Sequence, residues 1–578
     1  MRCHIQNGLL YDGSGEEGFT ADLLIEDGQV KTISRQSLVV SDDYKLIDAT
    51  GKWITPGFID IHTHYDAEIE IDPRLNESVR HGVTTVFLGS CGLSMVMGKP
   101  EELSDMFTRV EGIPSAYVKD LLKEIKDWEG PEEYMEHLEG LNLGPNVACF
   151  LGHSTIRSSV MGLGRSLSTD NRPATSELDA MDQLLHRSLD CGYMGLSVNL
   201  LEFDKMDGEE FRSRPTPSVY ARWKEYRHLF KTLRKRDRIL QTIPNTANPA
   251  TFFSFILESM ALFRKPLKTT MLAMIDSKTV RGIHRIFGTS ARFANRLMGA
   301  DVKFQGLPEP FDVWTDGMVA PFFEEFEAGT QYLHLLELNE KRELLQEEKY
   351  RKFFRRQWNN RIKPRVFHRN LWDTRIMECP DKSLCGRSFR EIAKEQGKDQ
   401  VDVFLDLIHA HGNDIRWYSV VGNDRPKEIN WIISHPDCQI GFSDAGAHLR
   451  NMGHYNFPLR LFHFILQRQK EGKKTISIGQ AVKKVTSELA DWFLLDAGWI
   501  KEGKRADLVI IDPDHLTEGV DETFEASMPG LPEFQRLVRR NDETVRCVMI
   551  NGKVVWTPEG HPETFGQSRG FGQLLRVN

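Results

Sequence analysis

The chain has 578 residues, of which 40% are hydrophobic and 27% charged, with a formal net charge of -9 and a pI of about 6.1. That length exceeds one ordinary core, so a barrel-sized domain with a smaller companion is expected. The acidic balance excludes the basic footprint of a nucleic-acid binder, and no apolar run approaches the ~20 residues that cross a bilayer, which excludes a membrane partner.

The amino end, MRCHIQNGLLYDGSG, lacks the long apolar stretch of a secretion signal. The eight cysteines, Cys3, Cys91, Cys149, Cys191, Cys379, Cys385, Cys438 and Cys547, follow no paired spacing, which suits reduced thiols. Both features make the cytoplasm the expected location.

In chain order, residues 1–55 read as short strands and turns, with Asn-Gly and Asp-Gly steps between alternating apolar residues. Residues 496–578 supply the same signature in KRADLVIIDP and VRCVMINGKVVW. Neither piece can bury a core alone, so the two are expected to pair as a small β-sandwich bracketing the middle of the chain. In that middle, residues 56–495, strand-like runs alternate with helical stretches: GFIDIHTH, TTVFLGS, NVACFLGH, GYMGLSV, RILQTIPN, PLKTTMLAM and CQIGFSDAG. The fold class expected is α/β, a (β/α)8 barrel with its chemistry at the carboxyl ends of the strands. Residues 306–390, long, charged and aromatic, interrupt the rhythm between two late strands and are expected to form a lid or an oligomer contact.

Candidate chemistry falls at those strand ends. His62 and His64 are two residues apart, so on a strand both imidazoles face one way and supply half of a divalent metal site. Cys91, between Gly89 and Gly92, is either a soft ligand, a nucleophile or an inert small residue, and the ligand role fits its strand-end position best. His153 can bind the ion or donate to a substrate oxyanion, with a structural histidine as the alternative. Arg157 can clamp a carboxylate through its planar fork, or be structural. Asp444, in GFSDAGAH, can ligate the ion and move protons between water and the leaving amine, the alternative being a turn aspartate capping the next helix. Tyr65 and His448 are expected near the substrate. Lys205 is a candidate for carbamylation, with an ordinary surface lysine as the alternative.

Taken together, GKWITPGFIDIHTHYD, HGVTTVFLGSCG, FLGHSTIRSSVMG, GYMGLSV, GFSDAGAH, GKRADLVIIDP and VMINGKVV resemble the amidohydrolase superfamily, and within it the N-acyl-D-amino-acid deacylase (D-aminoacylase) family, in a longer, divergent branch. The resemblance implies a metal-dependent barrel flanked by a β-sandwich, with His62, His64 and Cys91 as ligands and Asp444 as ligand and catalytic base. It implies zinc, one ion or two, or another divalent metal. It also implies hydrolysis of an amide bond of a small molecule such as an N-acyl D-amino acid. Alternatives are a cyclic amide, a carbamate, a formyl group, or a non-catalytic scaffold; a homo-oligomer is an open option. The family pattern carries further ligand histidines ending strands five and six, whereas RILQTIPN and PLKTTMLAM contain none.

Overall fold

The computed structural model describes residues 2–577. Its centre is an all-parallel sheet whose strands lie side by side in chain order: Phe58–Asp60, Val83–Leu88, Asn146–Gly152, Gly195–Asn199, Ile239–Ile243, Lys268–Met274, Asp301–Gly306 and Cys438–Ile440. The continuation of the last strand, Phe442–Ala445, pairs in parallel with His62–Thr63, the continuation of the first, and this closes a (β/α)8 barrel. Every residue of strands two to five is buried, as parallel strands covered by helices require.

Side-chain alternation divides the barrel interior into layers. Towards the amino ends of the strands, Phe87, Phe150, Met194 and Ile239 pack with Leu575 and Val577 of the carboxyl tail. One layer higher the side chains are polar: Gln305 Nε2 donates to Thr270 Oγ1 (3.3 Å), and Thr270 Oγ1 donates to Gln439 Oε1 (3.1 Å). Above them, at the carboxyl ends, lie the candidate functional groups.

Both termini share one eight-stranded sheet. Trp53–Pro56 from the amino part pairs antiparallel with Leu508–Ile511 from the carboxyl part, which in turn pairs with Val545–Ile550. The seventh barrel strand, Asp301–Gly306, is absent from the strands read in the sequence, because its inward Lys303 and Gln305 break the apolar run. The late insertion is longer than expected, running from residue 307 to about 425, and it has its own core of Phe323, Phe354, Trp358, Phe404 and Trp417 around a three-stranded sheet. It is therefore a small packed domain rather than a simple flap. No helix among the described residues is long and apolar enough to cross a membrane.

Candidate active site

His62 and His64 leave the first strand, Cys91 follows the second, and Asp444 lies in the eighth. One ligand atom from each of His62, His64 and Cys91 can be chosen so that all lie within 4.8 Å of one another. Asp444 Oδ1 is 3.7 Å from His62 Nε2 and 3.4 Å from His64 Nε2. His62 Nε2 and Cys91 Sγ are 3.2 Å apart.

One glutamine orients His62. Gln305 Oε1, 2.6 Å from Nδ1, can only accept, so the proton sits on Nδ1 and the Nε2 lone pair faces Cys91 and Asp444. Gln241 stands beside it, Nε2 at 2.9 Å from the same nitrogen, and its Oε1 accepts the Cys91 N–H (3.2 Å). Burial holds His62 neutral, down at about 4, and pushes His64 well below its ordinary value. Neutral imidazoles are the form that ligates a cation.

The anionic groups show the opposite strain. Burial and then the Asp204 charge lift the Asp444 carboxyl to about 7, and burial and then Asp444, Asp204 and Asp66 push the Cys91 thiol well up. A thiol and a carboxylate that ionise reluctantly beside two buried imidazoles, one with an unpartnered Nδ1 at His64, form a donor set that a divalent cation would satisfy. The backbone is bent for this purpose: Cys91, Asp444 and His448 all sit at positive φ, 54°, 58° and 48°.

Of the other expected residues, His448 follows Asp444 by four positions, outside the cluster of His62, His64 and Cys91, and burial pushes it down to about 4. Tyr65 does not join the site. Its side chain alternates away from His62 and His64, and its hydroxyl bonds Ser78 Oγ (2.5 Å) in the core beside Glu68. Arg157 is corrected as well: Nη1 pairs with Glu225, Nε donates to Ser166 O (3.2 Å) and Nη2 to Asn171 O (3.4 Å), so its fork is spent inside the protein. His153, at the start of helix His153–Met161, has Nδ1 at 2.9 Å from Ser218 Oγ and Nε2 at 3.2 Å from Glu225 without a hydrogen bond between Nε2 and that carboxylate, and it is outside the cluster of His62, His64 and Cys91. Lys205 is partly buried beside Glu324 and Arg109 and outside the ligand cluster.

Residues not singled out from sequence are Gln241, Gln305 and Asp204, whereas Asp60 stands out there only as an acid beside the histidine pair. Gln241 lies in a strand that the sequence shows, and Gln305 in the one it does not. Asp204, in the loop after strand four, is held by Asn199 Nδ2. Asp60 is wholly buried beside Ser443, and burial lifts its carboxyl to about 8.

Known proteins share this fold. The fold is that of a solved N-acyl-D-glutamate deacylase from Bordetella bronchiseptica, crystallised with zinc and a phosphonate inhibitor, at a TM-score of 0.64 and 21% identity over 99% of both chains. Residues 387–556 match the profile of the amidohydrolase family. An uncharacterized protein of Mycobacterium tuberculosis is 44% identical over 99% of this chain and 94% of its own length. The N-acyl-D-glutamate deacylase of Alcaligenes xylosoxydans xylosoxydans is 29% identical over 89% of this chain and 88% of its own. The chain belongs to the amidohydrolase family. It is a hydrolase of amide C–N bonds.

Proposed function

We propose that this hydrolase is metal-dependent and cleaves an amide bond of an N-acyl amino acid, of D configuration in the first instance, or of a related peptide-like small molecule. The observation that carries the reading is the convergence of His62, His64, Cys91 and Asp444 from three strands at one barrel mouth. The D-amino-acid class is supported by the names of the deacylases to which the chain is similar.

His62, His64, Cys91 and Asp444 would hold one cation, zinc being the natural occupant of a mixed nitrogen, sulfur and oxygen donor set. Such an ion supplies a Lewis acid for the amide carbonyl and lowers the pKa of water beside it. Asp444 moves the protons: an oxygen lifted by burial to about 7 takes the proton of the attacking water and returns it to the departing nitrogen. Gln305 keeps His62 in the tautomer that leaves Nε2 free.

Asp444→Asn keeps the shape of the side chain and removes its proton traffic, so turnover should fall by about 10³-fold with the unfolding midpoint preserved. Full activity in that variant would overturn the role. A panel of N-acyl-D- and N-acyl-L-amino acids, assayed with zinc-loaded protein, reads out the chirality accepted.

A further inference from the structure

The candidate centre is two-faced. Its donors come from strands one, two and eight, whereas beyond Gln241, whose amide oxygen accepts the Cys91 N–H, the ends of strands four to six turn apolar side chains towards Cys91. Leu201 and Ile243 pack directly with Cys91 in one buried cluster, and Phe203 and Leu272 lie against it, half-buried. Each has a structural reason to be there. Ile243 stands two residues beyond inward Gln241, Leu272 two beyond inward Thr270, and Leu201 two beyond Asn199, the last residue of strand four. Metal sites that hold two ions space them about 3.5–4 Å apart, and each ion needs its own oxygen, nitrogen or sulfur donors. On this side the nearby carboxylate is Asp204, already bonded to Asn199. A second cation among Leu201, Ile243 and Leu272 would be stripped of water without ligands to replace it.

We propose that this apolar wall restricts the centre to one divalent cation and serves as a subsite for an apolar group, an aliphatic or aromatic chain attached next to the scissile amide. The placing of that group next to a scissile amide rests on the hydrolytic reading above; the wall and its metal stoichiometry do not. Burying a methylene against such a wall strengthens binding, and an ionic substituent there would lose its hydration without a partner.

The test uses zinc-loaded full-length protein and straight-chain carboxylates from acetate to octanoate, whose head groups bind a cation whatever bond the enzyme cuts. Calorimetry should show affinity rising about 3-fold per added methylene over the first several carbons. Elemental analysis should give one zinc per chain. Ile243→Asn should flatten the chain-length dependence at unchanged zinc content, and Leu272→Ser serves the same purpose should the first variant fold poorly. Affinity independent of chain length in the wild type, or two tightly held zinc ions per chain, would overturn the proposal. If affinity climbs with chain length while no N-acyl amino acid is turned over, the wall stands and the hydrolytic reading fails.

A separate surface carries a second inference. Helix Ile283–Leu297 is built inside out: its inward positions are small, Gly288, Ala291 and Ala294, while Ile286, Phe293 and Leu297 are more than half exposed. On the neighbouring helix Ala250–Ser259, Phe253 and Leu257 also face outward, followed by exposed Leu262 and Phe263. The two helices are joined where Phe252 stacks on Phe287 at 3.8 Å and where Ala261 N–H donates to Met298 O, so the apolar face is continuous. These seven side chains expose on the order of 800 Å², what one partner contributes to a standard interface. The arginines along the edge, Arg281, Arg285 and Arg292, are paired with Asp424, Glu428 and Asp437, which allows identical faces to approach and is unlike the free cations of a membrane-binding helix.

We infer that this face docks a second copy of the chain in a twofold dimer. Light scattering on the full chain at micromolar concentration should give twice the monomer mass. Phe293→Glu should give a monomer that keeps its amidase activity, and Leu297→Lys is the alternative variant. A wild-type monomer, or a dimer indifferent to both substitutions, would overturn the inference.

Discussion

At Cys91 the chain does something an ordinary cysteine avoids: it adopts a left-handed backbone two residues after Gly89, whose own φ of 76° and close approach to Phe150 O leave no space for a Cβ. Gly89→Ala should therefore displace the thiol, and cation affinity would fall before global stability does; unchanged affinity would show that the turn does not position the ligand. The His62–His64 pair was legible in the sequence because spacing by two on a strand fixes a shared direction whatever the tertiary context. Tyr65 was misread by the same rule, since it belongs to the opposite face. Arg157 was misread for another reason: its partner Glu225 lies on helix Trp223–Arg236, and nothing local signals a contact that distant. Arg157→Met strands the Glu225 carboxylate in the interior and should destabilise the protein by about 3–5 kcal/mol with KM unaltered. A raised KM at full stability would restore the substrate-clamp role.

Among the elements, the seventh strand contributes most to the site for the least sequence signal. Asp301–Gly306 reads as polar because two of its inward positions are Lys303 and Gln305, yet Gln305 fixes the tautomer of His62. Barrel interiors at mid-height tolerate such residues when each polar atom finds a partner, as Gln305 does in His62 and Thr270. Gln305→Leu should weaken cation binding by about 10–100-fold while the barrel still folds, measured by competition with a chelator. Affinity equal to wild type would mean that the Gln305 contact does not set the ligating form of His62. Four of the strands that were recognised, GFIDIHTH, TTVFLGS, NVACFLGH and CQIGFSDAG, are by contrast mostly apolar runs ending in Gly, Ser or His, a pattern that needs no knowledge of the rest of the fold.

Over the whole molecule, the alternation of strands and helices announced the barrel, and the turn-rich termini announced a second β unit. The insertion was underestimated because its later helices, Phe389–Gln396 and Gln400–His411, have the same amphipathic pattern as barrel helices, and only packing shows that they belong with Trp358 and Trp417. Beyond the insertion, helix Pro426–Ser434 returns to the barrel, where Glu428 meets Arg285 and His284 of the preceding barrel helix. The Arg285 hydrogen bond, with His284, holds the Glu428 carboxyl down at about 2. A depressed carboxylate contributes its full stabilisation above its ordinary value of about 4.5 and loses it as pH falls towards 2. Glu428→Gln should accordingly reduce stability near neutral pH and leave a shallower loss between about pH 4.5 and 2 in denaturant titrations; parallel wild-type and variant curves would deny the linkage. The account as a whole depends on Cys91 and the two imidazoles gripping one ion, and cobalt(II) substitution reads this directly. A stoichiometric cobalt complex should show a sulfur-to-metal charge-transfer absorption that vanishes in Cys91→Ser, whereas cobalt that binds without that absorption, or does not bind at all, would contradict it.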